Sequence, residues 1–421
     1  MSGLRIFVRP ERRFVAAGRP TELVVMIRLL AESAVETRAP LNLGVVLDRS
    51  RSMGTEWYGA AIRGLQSAFA KLEPDDTVSM VAVGDTAEVL ASAVPPGVAL
   101  RALEGLADRS CEGRARAYPA WLCAAHEVAA HHRSDGVNRI WTISNGMGVV
   151  QEPDWPSWES AAGSLFRRGI STTTVGLGES FNEDALVGVA REGGGSALAV
   201  TDPAQLPLAF ASELEAMRGL FAEWATLRLE SDGCEVLEVL NDLRAVSAGK
   251  LALPPLTSGQ ELMIIARVRI APAEVGTELY PLSIKVKSLD LGATKAVVHS
   301  KALRVHVVAP PLADSMSPDV GVQAQAARLE LARTLRKCVR RIDLGKLDEA
   351  KQLLDFSLGR FGSISSEAGG TQLSLDLLHM QGLRDSLEST DGLRRARKSL
   401  TYAAAFAQTG GHTAPYGFTQ G

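Results

Sequence analysis

Residues 41–54 read LNLGVVLDRSRSMG, an apolar run of strand length that ends in an acid and is followed by two serines and a glycine. A strand with so few polar members must be covered on both faces, the situation of a parallel sheet flanked by helices. An α/β architecture follows for this part of the chain. In open α/β sheets the functional groups gather at the carboxyl ends of strands, beside the point where strand order reverses. Asp48, Ser50 and Ser52 are placed there by the sequence alone.

The surrounding residues repeat the alternation. Strand-like runs at 41–47, 77–83, 87–92, 138–144, 171–177 and 196–200 are separated by helical patterns at 56–72, 97–106, 119–132, 157–168, 182–192 and 203–220. This alternation predicts a doubly wound, Rossmann-like domain over about 39–222. Short β-rich runs lie on either side of it. Those within 1–38 are too few to bury a face unaided. They are expected to complete an antiparallel β-sandwich with the runs of 223–312, so that the α/β domain is inserted into the sandwich. Beyond it, Ala324, Ala327, Leu331, Leu335, Cys338 and Ile342 recur at helical spacing, and Gly345 separates them from a second stripe. A C-terminal α-helical domain of antiparallel hairpins is predicted over 313–408, with a flexible tail at 409–421.

Composition narrows the function. The 421 residues carry a net charge of -3 with a pI near 6.2, which offers no global basic field for nucleic acid or lipid headgroups. No window has the length and apolarity of a membrane span, and residues 1–14 lack the apolar core of a signal peptide. Cys111, Cys123, Cys234 and Cys338 are scattered, without a CxxC pair, so a disulfide framework is not expected and a cytoplasmic location is. There is no GxxxxGK[ST] loop, and Gly176-Leu177-Gly178 lacks the further glycine of a dinucleotide fingerprint. Gly193-Gly194-Gly195 is read as a helix cap and turn.

The chemistry therefore rests on the Asp48 loop. One carboxylate and two hydroxyls from alternate residues form a hard-oxygen set suited to an octahedral cation such as Mg²⁺ or Mn²⁺. A serine-rich turn that only caps the next helix would account for one hydroxyl, not for the full set. This stretch resembles the metal-ion-dependent adhesion site of von Willebrand factor A domains, of the intracellular bacterial type. The resemblance spans about 41–222 and includes KLEPDDTVSMVAVGDTAEVL and GISTTTVGLGESFNEDALVGVAREGGG. It implies a non-enzymatic protein-binding module. Metal (Mg²⁺, Mn²⁺ or Ca²⁺) would be held by Asp48, Ser50, Ser52 and a residue at the end of the strand RIWTISNG. An acidic residue of a protein partner, with an AAA-type ATPase as one such partner, would bind there.

The sequence departs from the family pattern at two positions. Ala115 stands where a threonine is expected, and Asn145 stands where a second aspartate is expected. Asn145 keeps a carbonyl oxygen but removes a charge, so a weakened metal site is implied. Arg49, Arg51, Arg109, Arg114 and Arg116 fall in loops predicted on the same rim. Guanidinium groups there could take over part of the metal's role toward a carboxylate, with Arg49, Arg51, Arg114 and Arg116 as partner-binding residues. Two other readings stand beside this one. The first is a structural scaffold with a vestigial, metal-free site, binding through the sandwich and helices. The second, a phosphotransferase using Asp48 as nucleophile, is disfavoured because that chemistry requires an acid two residues on, where Ser50 stands.

Overall fold

The computed structural model of the protein describes residues 3–32, 38–145, 155–178, 181–222, 224–289, 296–368, 371–387 and 390–408. The tail expected at 409–421 lies outside these residues. The chain opens with strands β1 (Gly3–Pro10), β2 (Phe14–Ala16) and β3 (Thr21–Glu32). It then alternates through β4 (Leu41–Asp48), α1 (Gly54–Phe69), β5 (Thr77–Val83), β6 (Ala87–Val94), α2 (Pro96–Ala107), α3 (Ala117–Ala130) and β7 (Val137–Ser144). The alternation continues with α4 (Trp155–Phe166), β8 (Ile170–Leu177), α5 (Glu183–Glu192), β9 (Gly194–Val200), α6 (Leu206–Arg218) and β10 (Leu220–Ala222). Strands β11 (Trp224–Ser231), β12 (Cys234–Val239), β13 (Ala245–Ser247), β14 (Lys250–Leu253), β15 (Leu256–Thr257), β16 (Glu261–Ile270), β17 (Glu278–Leu289) and β18 (Val297–Val308) follow. Helices α7 (Pro310–Ser315), α8 (Val320–Asp343), α9 (Leu347–Ala368), α10 (Thr371–Ser386) and α11 (Thr390–Gln408) close the described chain. Two compact units result, one from the described residues of 38–222 and one from the strands before and the elements after them.

The α/β unit has a six-stranded sheet in the order β6-β5-β4-β7-β8-β9. From β4 the chain winds outward to β5 on one side, then returns to place β7 on the other. The gap between the carboxyl ends of β4 and β7 is thus the switch point of the sheet. All pairs are parallel except β5–β6, which is antiparallel. Only Gly84, Asp85 and Thr86 separate β5 from β6. Three residues can close a hairpin but cannot carry a parallel crossover.

Every residue of β4, β7 and β8 is buried. Helices lie on both faces. Trp141 of β7 stacks on Phe210 of α6 with ring centroids 5.5 Å apart. On the other face the indole N–H of Trp121 in α3 donates to Thr172 Oγ1 of β8 at 3.2 Å. Gly44 of β4 is required by close packing, because a Cβ there would fall 2.6 Å from Cγ2 of Val128 in α3. The buried Asn42 amide donates to the Val128 and His131 carbonyls at 3.0 and 2.9 Å, closing the C-terminal end of that helix. The sequence therefore seats α3 on β4 twice, by an absent side chain and by a buried amide.

In the second unit, β3 pairs antiparallel with β1 and β16, which puts the first strands of the chain into the sheet β1-β3-β16-β12. β2 pairs parallel with β18 at the edge of a second sheet, β13-β14-β11-β17-β18-β2. Along β3 burial alternates, with Leu23, Val25, Ile27 and Leu29 fully covered and the residues between them half-covered. The half-covered face, through Val24 and Met26, packs with Ile265 and Leu240 against Ala326 and Leu329 of α8. Helix α8 starts at Asp319, whose carboxylate accepts from the Val322 amide at 3.1 Å. It ends before Gly345, which holds φ of 72° and turns the chain into α9. Leu331, Leu335, Cys338, Leu354, Met380 and Leu400 meet in the core shared by α8 to α11.

Candidate functional site

The Asp48 loop leaves β4 at the switch point. Its first residue is still tied to the sheet, since the Arg49 amide donates to the Val83 carbonyl at 2.8 Å. Asp48 is 1% exposed and Ser50 1% exposed. One Asp48 carboxylate oxygen accepts from the Ser50 amide at 2.8 Å, and the other accepts from the Ser144 hydroxyl at 2.6 Å. Burial pushes the Asp48 carboxyl above its ordinary range, and the Ser144 and Ser50 hydrogen bonds act against that shift. Asp48 is thus a buried organiser of the loop, and Ser52, which is exposed, carries the set toward solvent.

Above Asp48 three oxygens form a chain. Ser50 Oγ lies 2.9 Å from Ser52 Oγ, and Ser52 Oγ lies 3.2 Å from Asn145 Oδ1. Asn145 follows β7 directly and is 7% exposed. The structure therefore brings Asp48, Ser50, Ser52 and Asn145 together, from the ends of two adjacent strands. Ala115 is buried and has no side-chain oxygen where the resemblance expects one.

The arginines divide. Arg49 is an internal strut: its guanidinium pairs with Glu112 at 3.1 Å and donates to the Ser110 carbonyl at 3.3 Å. It does not stand with the free rim. Arg109 pairs with Glu88 at 2.7 Å. Arg51, Arg114 and Arg116 are exposed, and among the described residues no carboxylate lies within ion-pair distance of them. Their loops are tied together through the backbone, with the Arg51 amide donating to Gly113 O at 3.1 Å and the Glu112 amide donating to Arg49 O at 3.0 Å. Asp85 completes the tie by accepting from the Arg114 amide at 2.9 Å. Gly113 makes this possible, because it holds φ of 73° and a Cβ there would sit 2.5 Å from the Asp85 carboxyl carbon.

Sequence reasoning missed Ser144, Asp85 and Glu112. Ser144 carries a weak signal, as the last hydroxyl of an apolar strand beside Asn145. Asp85 and Glu112 carry none, since their partners are distant in sequence. Cys111, the neighbour of Glu112, is a free thiol pushed up by burial and by the Asp48 charge, so it is poorly suited to act as a nucleophile. All four cysteines are free. Among the described residues there is no group of three or more His, Cys, Asp or Glu side chains able to hold a metal, and no helix long and apolar enough to cross a membrane.

No protein-family model matches the chain. An uncharacterized protein of Synechocystis sp. is 25% identical over 249 residues, which are 58% of this chain and 58% of that relative. The chain thus matches little more than half the length of that relative. Among solved structures, a von Willebrand factor type A protein from Catenulispora acidiphila superposes with a TM-score of 0.68 at 16% identity, over 91% of this chain and 90% of that one. The ArnB paralog VWA2 from Sulfolobus acidocaldarius gives 0.60 at 17% identity, over 97% and 100%. The human COPII-coat protein Sec24c gives 0.57 at 11% identity, over 89% of this chain and 59% of that one. The protein has the α/β fold of von Willebrand factor A proteins. At these identities the likeness is one of fold.

Proposed function

We propose that the Asp48 loop is a recognition site for a carboxylate on a partner protein, and that the chain is a non-catalytic adaptor. The observation that carries this reading is the run of mutually bonded oxygens, Ser50, Ser52 and Asn145, set over a buried carboxylate at the sheet's switch point. Those donors fit a hard divalent cation in kind, Mg²⁺ first and then Mn²⁺ or Ca²⁺. Ser50, Ser52 and Asn145 would hold it, with Asp48 supplying the one negative charge. Such a cation would offer an open position to the partner's acid. Around it, Ser144 fixes the Asp48 rotamer and Asp48 fixes the Ser50 amide, so the loop is ordered before anything binds. Arg51, Arg114 and Arg116 add bidentate donors on the same rim. With one carboxylate in place of two, affinity for the cation is low and the arginines carry more of the attraction. An AAA-type ATPase or another multiprotein assembly is the class of partner proposed, and a cytoplasmic setting fits the free cysteines.

A second reading is favoured by the buried Ala115, which has no side-chain oxygen. In it the loop is vestigial, and the chain binds as a scaffold through the two sheets of the second unit, read as a β-sandwich, and its helices. Capture of partners by the full chain separates the two, with and without Mg²⁺ and with calorimetric titration of the cation. Under the proposal, Ser50→Ala with Ser52→Ala abolishes capture, and Arg114→Glu with Arg116→Glu weakens it about tenfold or more. Undiminished capture by both double variants, with no heat on adding cation, leaves only the scaffold.

A further inference from the structure

The second unit carries a cleft that the Asp48 site does not use. It has a volume of about 330 Å³ and opens between α8, α9 and the neighbouring strands β12 and β16, of which β12 is the sheet edge. A volume of that order holds one or two bulky side chains. Its floor is apolar, with Leu240, Leu331 and Phe361 all buried. Its lip is not: Phe356 projects from α9 with 72% of its surface exposed. An aromatic ring left in water beside an apolar floor is an uncovered hydrophobic contact.

The walls are charged. Arg267, Arg333, Lys337 and Arg360 face two carboxylates, Glu238 and Glu330. The carboxylates are spent on the arginines. Glu238 takes Arg267 at 3.3 Å and Arg333 at 2.6 Å, and Glu330 takes Arg267 and, at 2.9 Å, Arg360. Lys337 is exposed and has no ion-pair partner among the described residues. Helical spacing produces this layout, because Glu330, Arg333 and Lys337 share one face of α8, and Leu353, Phe356 and Arg360 share one face of α9.

We infer that this cleft docks a short acidic segment of a partner protein that carries one bulky apolar residue. The apolar residue would cover Phe356 and enter over Leu331 and Phe361, and the flanking acids would meet Lys337. Lys337, which no carboxylate among the described residues meets, disfavours a basic segment, and the apolar floor makes a purely polar one a poor fit. The inference does not depend on the Asp48 reading.

The test is fluorescence anisotropy of a labelled Asp-Glu-Phe-Glu-Asp peptide with the full chain at low ionic strength. The expected result is saturable binding that weakens about tenfold in Phe356→Ala and several-fold in Lys337→Glu, and that is unchanged in Ser52→Ala, a change at an exposed side chain of the other unit. Both cleft side chains are solvent-exposed, so these variants keep their fold. The same peptide with Ser in place of Phe binds at least several-fold more weakly, and Lys-Arg-Phe-Arg-Lys does not bind. The inference is overturned by absence of saturation up to about 1 mM peptide. It is equally overturned by unchanged affinity in both cleft variants, by equal binding of the basic peptide, or by loss of binding in Ser52→Ala.

Discussion

Strands β3 and β4 are successive in the chain and opposite in pattern. All eight residues of β4 are buried, whereas β3 alternates between covered and half-covered positions. The difference decides where each unit can place chemistry. A sheet covered on both faces admits polar groups along its length only where they are bonded internally, as Asn42 and Arg139 are, so its remaining polar side chains collect at strand ends, as Asp48 and Asn145 do. A sheet with one open face can use its outer surface instead, and here that face receives α8 and borders the cleft beneath Phe356.

The same contrast governs ion pairs. Arg139 and Glu213 meet at 2.8 Å inside the α/β unit, with side chains 5% and 4% exposed. Thr173 donates a second bond to the same carboxylate at 2.6 Å. Arg269 on β16 meets Glu22 at 2.8 Å across an exposed face. Arg139→Met should be the most damaging change considered, costing about 3–5 kcal/mol because Glu213 is left charged in the core. Urea unfolding followed by tryptophan fluorescence measures it, and a loss below about 1 kcal/mol would show that water reaches Glu213. Gly44→Ala comes next at about 1–3 kcal/mol, since α3 must lift off β4 to admit the methyl group. Restoration of its stability by Val128→Ala sharpens the point, because the clash is with that side chain. Arg269→Met should leave the urea midpoint where it is in the wild type, as exposed pairs are screened. A clear shift there would erase the distinction between the two sheets.

Much of the site was legible from one segment. Asp48, Ser50 and Ser52 lie within five residues, and the apolar strand before them fixes which end of the sheet they occupy. Asn145 came from the resemblance, and it does meet Ser52, 93 residues away in sequence. Ser144 was not legible as a partner of Asp48, because nothing local to either shows that β7 lies beside β4. The arginines show the limit more sharply. Arg49 and Arg51 look equivalent in DRSRS, yet Arg49 is folded back onto Glu112 and Arg51 is left free. Helix spacing gave the apolar stripes of α8 and α9 but not the cleft, which needs both helices and a sheet edge.

The amino-acid pattern alone determined the doubly wound α/β class and the position of the Asp48 loop within it. Hydrophobic periodicity is a local property, and a mostly apolar strand leaves few alternatives. Tertiary structure decided which hydroxyl completes Asp48, which arginines remain exposed on the rim, and where Phe356 comes to rest. Those outcomes depend on pairings between residues dozens of positions apart, and hydrogen bonds and ion pairs form only after packing has set which groups meet.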